Sequence, residues 1–135
     1  GDCTNFASQC LYAGSGVMDY TPTFGWFYRS ANDRSPSWTG VPFFYECLIR
    51  TRPSPGPVAE KVPLSGCEPG DFVQLRFGGE RYGHTPVIVA TGEVPDIHNT
   101  LVAAHSFDTD YRPLASYQFQ SIRCLHIVGV RVFED

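Results

Sequence analysis

The opening stretch "GDCTNFASQC" carries Cys3 and Cys10, and the later stretches "GHTPVIVAT" and "LVAAHS" carry His84 and His105. A cysteine and a histidine can together perform nucleophilic chemistry: the sulfur attacks, and the imidazole takes a proton and later returns it. Placement decides whether they do. A free thiol has a pKa near about 8.5, and a helix N-terminus or a nearby imidazolium lowers it by roughly one to several units. Cys3 at the front of a helix, with His84 in reach, would form a thiolate–imidazolium pair. His105 would hold the imidazole tautomer, as the third member of a triad does, and Asp108 competes for that role. The backbone N–H groups around Cys3 would face a developing oxyanion.

These residues need elements to bring them together. Residues 2–13 read as a helix: Phe6 and Cys10 are four apart, as are Ala7 and Leu11, and Cys3 falls on the same stripe. Asp2 suits the N-cap, and Gly14 and Gly16 end the helix. Residues 15–40, rich in aromatics, read as loop. A second helix is expected from Val41 to about Arg50, with Pro42 in its first turn, until "RPSPGP" breaks it. From Gly66 the pattern turns to strands: one near 72–77, then "HTPVIVAT", "TLVAAHS" and, after a looped "DTDYRPL", "IRCLHIVGVRVF". Helices followed by a strand meander predict an α+β domain with N-terminal helices packed on an antiparallel sheet. A hairpin pairing 84 with 105 and 90 with 99 would set His84 and His105 side by side on one face. Pro86 cannot donate to a ladder, so that strand should be bulged or at an edge.

Composition narrows the function classes. The chain has 135 residues, is 42% hydrophobic and 14% aromatic, and suits a single domain over 1–135. Because it begins almost inside a helix, it reads as a domain excised from a longer chain. A net charge of -4 argues against a general nucleic-acid binder, and no apolar run reaches membrane-span length. The five cysteines are an odd number, so at least one stays outside any internal disulfide. Cys10 reads as core packing. Cys47, Cys67 and Cys124 read as structural, with a disulfide between two of them open to an exported protein. His98 reads as solvated and His126 as satisfied within an apolar strand. Neither a metal nor a cofactor is called for; a metal held by Cys3, His84 and His105 is the weaker alternative. Asn5 and Gln9 share another helical stripe, where they could tie down the aromatic loop. Trp26, Tyr28 and Trp38 either stack on sugars or cover the core, and the core is favoured. Trp38 is the best aromatic candidate for lining a cleft.

The blocks "DCTNFASQCL", "PGDFVQL", "GHTPVIVAT" and "LVAAHS", the last with Asp108 just beyond, follow in the order of a papain-like hydrolase. The chain resembles a bacterial family of amidase domains and, more distantly, the NlpC-type cell-wall peptidases and CHAP amidases. The resemblance implies a papain-like α+β fold. It also implies cleavage of an amide or peptide bond through a thioester, with Cys3 as nucleophile, His84 as base and His105 as orienting residue. Substrates would be peptides or peptidoglycan-type peptides, and the location the exterior or surface of a bacterium. The hairpin loop is longer than the tight turn of the NlpC-type relatives, which keeps Asp108 in contention. The rival functions are thiol acyl transfer and a binding module that kept the fold but lost turnover.

Overall fold

Helix α1 spans Asp2–Ser15 in a computed structural model that describes residues 2–104 and 109–133. Its buried stripe is Thr4, Ala7, Ser8 and Leu11, the i, i+3, i+4, i+7 spacing of one helical face. Phe6 and Cys10 flank that stripe, half-buried against the core. The Ser8 hydroxyl donates to the Trp38 carbonyl at 2.9 Å and accepts from Trp26 Nε1 at 3.1 Å, so its burial leaves no unmet polar group. Asp2 lies within the first turn rather than ahead of it, where a carboxylate still suits the helix dipole.

The aromatic segment is not the loop its composition suggests. Strands β1 (Tyr28–Ser30) and β2 (Asp33–Arg34) form a small hairpin, and helices α2 (Pro36–Thr39) and α3 (Val41–Leu48) follow. Trp26 and Trp38 are 1% and 3% exposed, with ring centroids 4.8 Å apart. The Trp38 ring, the best aromatic candidate for lining a cleft, lies in the core instead, in line with the favoured reading of these aromatics. Gly25 permits the fold-back that buries Trp26, because a Cβ there would lie 2.2 Å from the Asp19 carbonyl oxygen. The buried Asp19 carboxylate meets Arg52 at 3.1 Å, tying this segment to the chain beyond α3.

The remaining strands are β3 (Gly56–Val62), β4 (Phe72–Arg76), β5 (Val87–Ala90), β6 (Leu101–Ala104), β7 (Thr109–Pro113) and β8 (Ser121–Arg131). They form one antiparallel sheet in the order β3-β8-β4-β5-β6-β7. β3 and β7 are additions to the expected meander. Both are edge strands, where Pro57 and Pro113 are tolerated. One sheet face, with Phe72, Val87 and Leu125, packs on Ala7, Trp38 and Phe44 of the helices. The other face carries Val73, Leu75, Ile88 and Val102, with Leu114 of the 3₁₀ turn after β7 packed on it. Covered on both sides, β4 is buried at "FVQL" without polar alternation.

Gly70, at φ +96°, turns the chain so that the Asp71 carboxylate points inward. It accepts hydrogen bonds from the Glu68 and Ile127 backbone N–H groups, each at 2.9 Å, and from His126 Nδ1 at 2.8 Å. The Gly-Asp pair therefore fastens the entry of β4 to β8.

The expected hairpin register is also corrected. β5 pairs Val87 with Ala103, Ile88 with Val102 and Ala90 with Leu101, with an irregularity between Ile88 and Ala90. The observed ladder is thus one residue from the expected pairing at Val87 and two at Ala90, and a one-residue slip exchanges the faces of a strand. β5 is interior, and the break falls beyond Pro86. Proline accepts from Val73 N–H at 3.1 Å and has no N–H to return.

Candidate active site

The first turn of α1 meets the sheet through a threonine pair. Thr4 Oγ1 lies 3.2 Å from Thr85 Oγ1, and both residues are fully buried. Thr85 Oγ1 also accepts from Gln74 Nε2 at 3.2 Å, and Gln74 Nε2 reaches the Val41 carbonyl at 2.9 Å. Helix start, sheet and α3 are thereby held in one polar contact. Each threonine directly follows a residue with chemistry to offer: Cys3 before Thr4, His84 before Thr85.

Cys3 is half-buried, and its Sγ lies 3.9 Å from Thr4 Oγ1. His84 bridges to Leu75, whose N–H donates to the His84 carbonyl at 3.0 Å. Directly opposed residues share a sheet face, so the His84 side chain leaves the sheet on the side of Leu75, Ile88 and Leu114, while Thr85 faces α1. There His84 Nε2 lies 3.3 Å from the Tyr117 hydroxyl, with the two ring centroids 5.3 Å apart. Phe77, largely exposed, stands 6.3 Å from both rings.

Tyr117 follows the short 3₁₀ turn Leu114–Ser116, and its N–H bonds back to the Leu114 carbonyl at 3.2 Å. The Arg112 guanidinium lies 3.7 Å from the Tyr117 ring centroid and is held by Ser116, with Nε donating to Ser116 Oγ at 2.7 Å.

These neighbours set the charge state of the imidazole. Burial pushes the His84 pKa down, and the Arg112 cation pushes it further. The environment favours a neutral imidazole, which can act as a base, over a standing imidazolium. Burial raises the Tyr117 pKa, against the opposing pull of the Arg112 cation. Cys3 and His84 thus flank the Thr4–Thr85 contact, with the His84 ring beside Tyr117 on the sheet face away from α1. Cys3 Sγ makes no hydrogen bond to the His84 ring in this state; its polar neighbour is Thr4.

Of the remaining candidates, His105 and Asp108 lie outside the described residues. Asn5 Oδ1 accepts from Trp38 Nε1 at 2.9 Å, which ties α1 to the aromatic segment. Asp2 is exposed in the first turn. Among the described residues, no group of His, Cys, Asp and Glu side chains is gathered as a metal cage, and no helix is long and apolar enough to cross a membrane. A groove of about 330 Å³ lies under the far half of α1, lined by Cys10, Leu11, Phe72, Val87 and Ile127. Neither Cys3 nor His84 lines it.

A family model described as "Putative amidase domain" matches residues 1–128. The chain belongs to this family. Its description points to amide hydrolysis in general terms. The chain is also 33% identical over 116 residues to the uncharacterized protein YhbB of Bacillus subtilis (strain 168), a match covering 82% of this chain and 35% of that protein. It therefore spans about a third of the length of that relative. No solved structure matches the chain.

Sequence reasoning passed over Thr4, Thr85, Arg112 and Tyr117. The threonines carried a usable signal, since a polar residue on a helix's buried stripe asks for a partner. Tyr117 and Arg112 carried none. Their contact with His84 comes from β7 and the turn after it folding back beside the start of β5.

Proposed function

We propose that this amidase-family domain is a cysteine amidohydrolase with Cys3 as nucleophile and His84 as general base. The observation that carries the reading is the buried Thr4–Thr85 contact, which docks the first turn of α1 on the strand end bearing His84. The proton transfer requires Sγ and the imidazole to meet when substrate binds; catalytic hydrogen bonds are often long or unmade in a free enzyme and close in the complex.

The chemistry then runs in two halves. His84 takes the proton from Cys3 Sγ as the sulfur attacks the carbonyl carbon, and the electron pair of the C=O moves to oxygen. Backbone N–H groups in the first turn of α1, which helix geometry leaves without intrahelical acceptors, face that oxyanion. The C–N bond breaks as the imidazolium gives its proton to the leaving amine, leaving a thioester. Water, deprotonated by the same imidazole, attacks the thioester; the C–S bond breaks, and carboxylic acid and free thiol result. The neutral form of His84 favoured by burial and Arg112 is the one the first step needs. The exposed Phe77 ring beside His84 offers an apolar contact to a substrate side chain.

A papain-like relation, a peptide or cell-wall peptide as substrate, a third residue at His105 or Asp108 and a location outside a bacterial cell extend this reading. They rest on the resemblance of the "DCTNFASQCL" and "GHTPVIVAT" blocks. The test is incubation with peptidoglycan-derived peptides, following release of new amine and carboxylate by mass spectrometry. The expected result is cleavage that Cys3→Ala abolishes, together with fast, His84-dependent alkylation of Cys3 by iodoacetamide near neutral pH. Product formed only when an amine is added would mark an acyltransferase. Alkylation at the rate of an ordinary thiol, with no product from any fragment, would replace the enzyme with a binding module.

A further inference from the structure

The imidazole of His84 has two nitrogens, and only one can receive the thiol proton at a time. Which one is free depends on the hydrogen bond made by the other. The described structure gives that second bond to a residue none of the motifs contains. Tyr117 Oη lies 3.3 Å from His84 Nε2, and the phenol is held from several directions. Its backbone is fixed by the 3₁₀ turn built on the fully buried Leu114. Its ring lies under the Arg112 guanidinium at 3.7 Å, an arrangement that stabilises both partners. Arg112 is anchored in turn by Ser116, through Nε to Oγ at 2.7 Å and Nη2 to the carbonyl at 3.2 Å. A side chain held this firmly can impose an orientation on its neighbour.

We propose that Tyr117 is a positioning residue of this site: its oxygen accepts the Nε2–H of His84, leaving Nδ1 as the nitrogen whose lone pair serves the reaction. The assignment rests on the reading of Cys3 and His84 as the reacting pair. The Arg112 guanidinium lies over the face of the Tyr117 ring, and its N–H groups bond Ser116. The phenol oxygen keeps its lone pairs toward the imidazole, where one can take the Nε2–H of His84. During the reaction His84 becomes an imidazolium with both nitrogens protonated, and the Nε2–H bond to Tyr117 persists while Nδ1 picks up and releases its proton. The charged and titratable groups described around the ring are Arg112 and Tyr117.

The experiment compares the intact chain with Tyr117→Phe, which keeps the ring under Arg112 and deletes only the oxygen. Ring-nitrogen NMR of His84 is read in a Cys3→Ser background, where no turnover is needed. The Nε2–H tautomer should dominate with Tyr117 and lose its excess in Tyr117→Phe. In the Cys3 enzyme the same substitution should lower kcat by at least about tenfold, as expected for general-base catalysis that loses its geometry, with KM changed far less. An unchanged tautomer ratio, or wild-type kcat in a folded Tyr117→Phe protein, would overturn the assignment. A gain in activity would overturn it too, because the phenol would then be withholding the imidazole. Should Cys3→Ala keep full activity, the underlying reading falls instead, and the tautomer measurement still decides the role of Tyr117.

Discussion

Two histidines in this molecule look alike in sequence and differ in what surrounds them. His126 has the partner usually sought for a catalytic histidine, a buried carboxylate at 2.8 Å. That carboxylate, Asp71, also accepts the Glu68 and Ile127 N–H groups, so its capacity is taken up in joining β4 to β8. The imidazole there is driven toward its charged form by Asp71, first through the hydrogen bond. His84 has no carboxylate among its described neighbours. It is buried, pushed toward its neutral form, and set beside a phenol. The contrast shows that a carboxylate–histidine pair is not by itself a site. What distinguishes His84 is a neutral-leaning imidazole, with a cysteine on the first turn of the helix docked at its neighbour Thr85.

The largest effect expected from that contrast is on turnover. Cys3→Ala and His84→Ala should each lower kcat/KM by at least about 10³-fold while leaving the urea midpoint nearly in place. His126→Gln should change the rate less than about twofold, and a rate loss at His126 equal to that at His84 would erase the distinction. Below this comes the third residue. His105→Ala is expected to cost about 10²-fold, measured as kcat on the same peptide. If Asp108→Ala costs more, the third-residue role passes to Asp108; a loss of that size at either position with none in Tyr117→Phe would mean that this residue, and not Tyr117, holds His84 Nε2.

Stability should answer in the opposite sense. Asp71→Asn places an amide N–H₂ against donors that the carboxylate now satisfies, in a residue 2% exposed. Leaving such groups unpaired costs about 2–4 kcal/mol, which should appear as a lower urea midpoint with an unchanged m-value. The activity per folded molecule should stay close to wild type. A rate loss larger than the stability loss explains would mean that the Asp71–His126 pair takes part in the chemistry.

How far the sequence foretold this arrangement depends on the residue. α1, α3, β4, β6 and β8 announce themselves because their apolar spacing follows a helical or strand period. β3 and β7 do not, because Pro57 and Pro113 sit in them and an edge strand need satisfy only one neighbour. The aromatic segment reads as loop because Pro22, Gly25 and Pro36 punctuate it, yet Trp26 and Trp38 make it core. At the candidate site, Cys3 and His84 are singled out by residue type and local context. The register between β5 and β6 was not: the irregularity after Ile88 shifts the ladder, and nothing in "VIVAT" marks it. Tyr117 was beyond local reasoning altogether, since its partner lies 33 positions away and is brought close only by the completed sheet.

The smallest effect is also the most direct measure of the two environments, because it compares the same side chain with opposite signs. A histidine whose folded pKa is raised binds protons more tightly in the native state. The stability it contributes is fully present below the unfolded value of about 6.5 and is lost as pH rises through the folded pKa. That is His126, raised by Asp71. A histidine whose folded pKa is lowered resists protonation in the native state. Its effect is a stability loss that begins as pH falls below about 6.5 and levels off below the folded pKa. That is His84, lowered by burial and then by Arg112. Urea midpoints of wild type, His84→Gln and His126→Gln between about pH 5 and 8 separate the two. Relative to wild type, His84→Gln should gain ground toward acid, and His126→Gln should lose ground there. Arg112→Gln should reduce the His84 penalty without touching the His126 gain, because only His84 lies in the field of that cation. If both histidine variants shift the curve in the same direction, the two sites do not differ in the way their neighbours require.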